Sequence, residues 1–116
     1  MTYWIIENKL GTAAIGEELP KGSNLYDVRY LKDGINNLNI LKGTIYNIYK
    51  DLSRGSRIII RCQAGISRSN AIAIAVLCLY NKNSWEENEK IVREKVRRTQ
   101  IESSLKDCCK RVLYGE

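Results

Sequence analysis

The chain contains no histidine and no phenylalanine, and only one proline and one methionine. The missing histidine excludes the most. Serine–histidine–aspartate and cysteine–histidine nucleophile systems are ruled out, as are zinc sites built on imidazole. Any proton chemistry has to run through Asp, Glu, Cys, Tyr or Lys. Without phenylalanine, and with no run of five or more Arg/Lys, the basic-plus-aromatic signature of a nucleic-acid module is absent. No uninterrupted apolar stretch approaches the roughly 18 residues of a membrane span, and the start MTYWIIENK lacks a signal peptide's basic lead and apolar core. A soluble, cytosolic protein with no membrane partner is expected. Four cysteines are present (Cys62, Cys78, Cys108, Cys109), but nothing suggests a secretory context, and adjacent Cys108 and Cys109 would make a strained disulfide. Free thiols are the expectation.

A length of 116 residues suits one domain with one hydrophobic core, residues 1–116. Nineteen basic against 13 acidic side chains leave a net charge of +6, which favours anionic partners. Residues 3–6 read as a short strand, and 10–15 as a small-residue turn or a second strand. A loop over 17–24 holds Pro20 and Gly22. Alternation at period two makes 24–31 a strand, with Leu25, Val28 and Tyr30 competing for the core, broken by Lys32-Asp33-Gly34.

Leu38, Leu41, Ile45, Ile48, Tyr49 and Leu52 recur at helical spacing, so 37–52 is a helix capped by Asn36 or Asn37, with Gly55 after its end. The β-branched run 57–62 is a buried strand. Residues 67–80 are apolar almost all round and should form a central buried helix. Ser84 and Glu87 make a capping box for a helix reaching about Arg98, and a last helix runs over 102–114. The economical architecture is α/β: a small central β-sheet with helices packed around it.

Between the isoleucine strand and the apolar helix lies RCQAGISRS, residues 61–69. Strand, glycine-containing loop and helix N-terminus together gather backbone N–H groups around an anion. Cys62 ends the strand at that spot, where the amides and Arg68 favour thiolate over thiol, giving a nucleophile that needs no histidine base. Arg68, six positions on, presents a planar fork able to hold two phosphoryl oxygens. Ser69 is placed to donate a hydrogen bond to the sulfur when it leaves phosphorus.

The run Cys62-Gln-Ala-Gly65-Ile-Ser-Arg68-Ser69 resembles the Cys-x5-Arg signature of the cysteine-dependent protein tyrosine phosphatase superfamily, in the form used by its dual-specificity branch. The order of helices downstream is also similar, so the resemblance spans about residues 28–113, and Tyr3-Trp4 faintly resembles the opening of short archaeal members. The residues before Val28 look too few for the family's usual N-terminal sheet and helix. Arg61 stands where the family usually has histidine.

The resemblance implies a Cys-x5-Arg loop between a strand and a buried helix, with Cys62 as nucleophile. It implies that the backbone of Gln63, Ala64, Gly65, Ile66, Ser67 and Arg68, with the Arg68 side chain, holds phosphate, that Ser69 assists the sulfur, and that neither metal nor other cofactor is needed. The family's general acid is an aspartate on a loop after a strand and before a helix. Asp33, 29 residues before Cys62 and followed by Gly34, matches; Asp27, inside the expected strand, and Asp51, at a helix end, fit less well. The implied reaction passes through a phosphocysteine. The implied activity is hydrolysis of phosphotyrosine and phosphoserine or phosphothreonine in phosphorylated proteins. RNA 5′-phosphatase and phosphoinositide phosphatase activities share this chemistry. The basic charge keeps RNA open, though nucleic acid is not favoured, and the loop interior lacks the lysines of the inositide branch. A non-catalytic phosphate-binding module is a further alternative, against which the presence of Cys62 counts. The sequence leaves the oligomeric state open.

Overall fold

The computed structural model describes residues 2–115 and is built on a four-stranded sheet. Its strands are β1 (Tyr3–Ile6), β2 (Leu10–Ala14), β3 (Asn24–Asp27) and β4 (Ile58–Cys62), in the order β1-β2-β4-β3. The first pair is antiparallel; β2 and β3 each run parallel to β4. Four helices follow the pattern of the sequence: α1 (Leu38–Ser53), α2 (Arg68–Asn81), α3 (Trp85–Lys95) and α4 (Ser103–Tyr114). This is the α/β architecture expected from the sequence.

The central position of β4 follows from its residues. Ile58, Ile59 and Ile60 are fully buried, which only a strand covered on both faces permits. Side chains alternate along a strand, so Ile58, Ile60 and Cys62 face the helices, where all three join the main core cluster, and Ile59 faces the other way. Because β2 and β3 flank β4 in parallel, residues 15–23 have to run back across that second face. Arg57 anchors this crossover by donating to the Lys21 carbonyl (2.9 Å), and the Thr2 hydroxyl donates to that of Glu18 (3.2 Å).

Helix α2 is the hub of the helical layer, its residues Ser69 to Cys78 all buried. Each of its large aliphatic side chains contributes about 2 kcal/mol by burial. Asn37 caps α1 by accepting from the amides of Asn39 and Ile40, and the Ser84–Glu87 capping box opens α3. Trp85 is fully buried, and all four cysteines are buried free thiols. No helix among the described residues is long and apolar enough to cross a membrane.

Several local expectations are settled or corrected. Residues 10–14 are a strand, and Gly11 makes its close pairing possible: a Cβ there would lie 2.9 Å from the Tyr3 carbonyl oxygen. The strand expected over 24–31 stops at Asp27, whose carboxylate takes the Arg29 amide (3.1 Å) while Leu31 N–H closes a turn onto the Val28 carbonyl (3.1 Å). Val28 and Leu31 are buried, whereas Tyr30 is 63% exposed. Leu38 lies outside the buried stripe of α1 at 40% exposure. Helix α3 ends at Lys95, three residues short of Arg98. The residues before Val28 do fit three strands; what they lack is a helix.

Candidate active site

In parallel sheets ligands bind beyond the carboxyl ends of the strands. Here Ala14, Asp27 and Cys62 end their strands on that edge, and residues 63–67 connect Cys62 to the first turn of α2. Cys62 is 2% exposed. Its Sγ lies 3.2 Å from the hydroxyl of Ser69, itself fully buried, so Ser69 stands where a donor to the sulfur was expected.

The loop carbonyls are tied down on the outside. Gln63 O accepts from the Ile15 amide (3.2 Å), Gly65 O from Asn70 Nδ2 (3.0 Å) and Arg98 Nε (3.1 Å), and Ile66 O from Asn70 Nδ2 (3.0 Å) and the Gln100 amide (3.0 Å). Peptide planarity then turns the neighbouring N–H groups the opposite way. None of the amides from Gln63 to Ser67 has a protein acceptor among the described residues. Gly65 sits at φ +68°, which lets successive N–H groups converge on one point as an anion nest. A Cβ there would meet Arg98 Nη2 at 2.4 Å.

The segment after β3 meets this loop through Arg68 and Asp33. Arg68 Nη1 donates to the carbonyls of Arg29 (2.9 Å) and Leu31 (3.0 Å), in the turn leading to Asp33. Its Nε and Nη2 have no protein partner among the described residues and are free for an anion. Asp33 is exposed, and its Oδ1 accepts from the Ser67 hydroxyl at 2.5 Å. Asn36 braces the same turn, accepting from the Lys32 amide (2.9 Å) and donating to the carbonyls of Lys32 (2.8 Å) and Gly34 (3.0 Å). The structure therefore brings Ser69 to Cys62, Asp33 to Ser67 of the loop, and Arg68 to the carbonyls of the segment that leads to Asp33.

The other two aspartates are committed elsewhere. Asp27 receives a bidentate contact from Arg29 (Nε 2.9 Å, Nη2 2.8 Å) and a third from Arg61 (Nη2 3.0 Å). Arg29, then Arg61, hold its carboxyl far below the usual carboxylate range, overcoming the opposing effect of burial. Arg61, in the usual histidine position, thus ties β4 to β3 through their register pair Asp27–Arg61. Asp51 accepts from the Tyr26 hydroxyl; burial first, then that bond, push the Tyr26 phenol up to about 12.

Three residues that frame the loop were missed from sequence: Asn70, Arg98 and Glu17. Asn70 carried a signal, as a fully buried amide at the start of an otherwise apolar helix. Arg98 pairs with Glu17 (Nη2 to Oε1 2.8 Å), lies over the Tyr3 ring (4.7 Å to its centre) and holds Gly65 O, so it links the crossover to the loop. Glu17 also accepts from the Ala14 amide at 2.6 Å. The Arg98 hydrogen bond is the main cause that brings the Glu17 carboxyl from 4.5 down to about 2, against a smaller upward push from burial. A carboxyl depressed on folding stabilises fully above its unfolded value and loses that contribution as pH falls toward the folded one. Urea titrations of wild type and Glu17→Gln should therefore converge as pH drops from 4.5 toward 2, with wild type the more stable above that window. A constant difference across the window would refute this assignment.

No protein-family model and no curated protein matches the chain. Solved structures do. The chain is similar over 96% of its length to a variant of human DUSP28 (TM-score 0.79, 14% identity, 92% of that chain). Similarity covers the same 96% for Tk-PTP in its active form (0.75, 14%, 95% of that chain). For PTPMT1 in complex with PI(5)P it again covers 96% (0.68, 18%, 96% of that chain). The fold is that of the dual-specificity and tyrosine phosphatases.

Proposed function

We propose that the whole chain, residues 1–116, is one catalytic domain, a cysteine-dependent phosphomonoester hydrolase of the dual-specificity type. Its substrates are phosphotyrosine and phosphoserine or phosphothreonine in proteins, and its setting is the cytoplasm. The observation that carries this reading is the loop after Cys62: the carbonyls of Gln63, Gly65 and Ile66 are bonded, and the amides from Gln63 to Ser67 have no protein acceptor among the described residues. Preorganised donors of this kind stabilise charge as it develops on equatorial phosphoryl oxygens. The Cys62 thiolate attacks phosphorus as the P–O bond breaks, Asp33 protonates the departing oxygen, and the resulting phosphocysteine is hydrolysed by water with Asp33 as base. Ser69 donates to the sulfur when it leaves. Neither step calls for a metal.

The lipid reading draws on PTPMT1, whose structure holds PI(5)P. Against it stands the loop interior of Gln63, Ala64, Ile66 and Ser67, which offers a polyanionic headgroup no additional cation. The deciding experiment is a panel of tyrosine, serine and threonine phosphopeptides, 5′-triphosphorylated RNA and PI(5)P vesicles, assayed for phosphate release. Turnover is expected with the phosphopeptides. Wild type that binds phosphopeptide but hydrolyses no aryl phosphate would sink the enzyme reading, and activity confined to RNA or lipid would replace the substrate class.

Arg68→Lys should lower kcat on an aryl phosphate by about 10²- to 10³-fold, the scale of losing an aligned donor to the developing charge. One ammonium cannot bond the Arg29 and Leu31 carbonyls and two phosphoryl oxygens together. A kcat within threefold of wild type would show that the fork is not used.

A further inference from the structure

Ser67 is 8% exposed and its hydroxyl lies between two groups. The Glu102 amide, at the N-terminus of α4, donates to Ser67 Oγ at 3.1 Å, and Oγ in turn lies 2.5 Å from Asp33 Oδ1. A hydroxyl has one hydrogen and two lone pairs. One lone pair is taken by the Glu102 N–H, and among the described residues Asp33 Oδ1 is the only acceptor for the hydrogen. Were Asp33 protonated on Oδ1 and donating instead, the buried Ser67 hydrogen would have no acceptor, which burial disfavours. Oδ1 is therefore the unprotonated oxygen in this arrangement. The proton of the acid form is left to Oδ2, which has no protein partner among the described residues.

Resting on the hydrolase reading above, we propose that Ser67 is a positioning residue that selects the oxygen of Asp33 carrying the transferred proton. With Oδ1 pinned by Ser67, Oδ2–H is presented to the leaving oxygen. In the first step the S–P bond forms from the Cys62 lone pair and the P–O electron pair goes to the leaving oxygen. That oxygen takes the Oδ2 proton, and Asp33 is left as a carboxylate still held through Oδ1. In the second step Oδ2 accepts a proton from the attacking water. The Glu102 amide fixes the direction of the Ser67 hydrogen, so α4 is coupled to the acid through a single hydroxyl.

The test uses kcat/KM, which reports the first step alone, for two esters: phenyl phosphate, whose leaving group needs a proton, and 2,4-dinitrophenyl phosphate, whose leaving group does not. In Ser67→Ala, kcat/KM for phenyl phosphate should fall by about tenfold or more, while that for the dinitrophenyl ester and the inhibition constant of inorganic phosphate stay within about twofold. Ser67→Thr, which keeps the hydroxyl, should hold the ratio of the two esters within about twofold of wild type. Adding Ser67→Ala to Asp33→Ala should cost phenyl phosphate nothing further. Equal losses on both esters, weakened phosphate inhibition, a threonine ratio shifted like that of alanine, or multiplying losses in the double variant would each overturn the assignment and leave Ser67 a structural member of the loop. None of these touches the hydrolase reading, which fails separately if wild type turns over neither ester; its cysteine mechanism fails if Cys62→Ser turns over within tenfold of wild type.

Discussion

Cys62→Ser should abolish hydrolysis of every phosphate ester, a loss of about 10⁴-fold or more, while phosphopeptide binding stays within about threefold of wild type. Sulfur and oxygen differ little in bulk, and the site around Cys62 is closed, with 2% exposure and Ser69 Oγ 3.2 Å away, so the loop keeps its shape. What changes is the acid–base chemistry. The thiolate that the proposed mechanism uses needs no partner base, whereas a serine hydroxyl does. In other folds that base is histidine, and this chain has none. Asp27 is bound by Arg29 and Arg61, and Asp33, held through Oδ1 by Ser67, is assigned to the leaving oxygen, so neither serves as base to a serine nucleophile. Steady-state hydrolysis of an aryl phosphate and equilibrium binding of a phosphopeptide, on the same preparation, read both halves. Turnover within tenfold of wild type would exclude Cys62 as nucleophile; lost binding with lost turnover would mean that the substitution disturbed the cradle.

The parts of the site that follow from contiguous residues were legible in advance. Three isoleucines in a row mark a strand buried on both faces, Gly65 marks the turn, and the alanine-rich run after Arg68 marks a helix that can sit closely under the sheet. The proposed nucleophile, cradle and fork all lie within the eight residues 62–69. The residues that hold the cradle open were not legible, because their partners are distant in sequence. Arg98 bonds Gly65 O and Glu17 from across the chain, and nothing in its own neighbourhood separates it from Arg97, which is exposed.

The premature end of β3 has the same origin. Val28 and Tyr30 keep the period-two pattern of a strand, but Arg61 and Arg29 both draw on Asp27, and the chain turns there. That turn matters for function. Because β3 stops early, residues 28–34 fold back over the loop, and the Arg29 and Leu31 carbonyls come within reach of Arg68. A strand continued to Leu31 would carry Asp33 away from Ser67.

Asp33→Ala should then separate the two chemical steps. With phenyl phosphate, transfer to Cys62 loses its proton donor, and kcat/KM should fall by about 10²- to 10⁴-fold. With 2,4-dinitrophenyl phosphate the leaving group departs unaided, so the phosphocysteine still forms at close to the wild-type rate. Its breakdown, however, needs a base to take a proton from water. Of the three aspartates weighed from the sequence, Asp27 is bound by two guanidinium groups and Asp51 by the Tyr26 hydroxyl, which leaves Asp33 for that role. The intermediate should accumulate. Stopped-flow traces should show a burst of about one dinitrophenolate per active site followed by slow turnover, and acid-quenched protein should carry one phosphoryl group on Cys62. Wild type, with Asp33 in place, should show a smaller burst or none. Slow release of dinitrophenolate without a burst would mean that Asp33 acts on the attack itself, through the shape of the loop. Equal effects on both esters with no trapped phosphocysteine would remove Asp33 from the proton-transfer role and return the search to the exposed acids around the site.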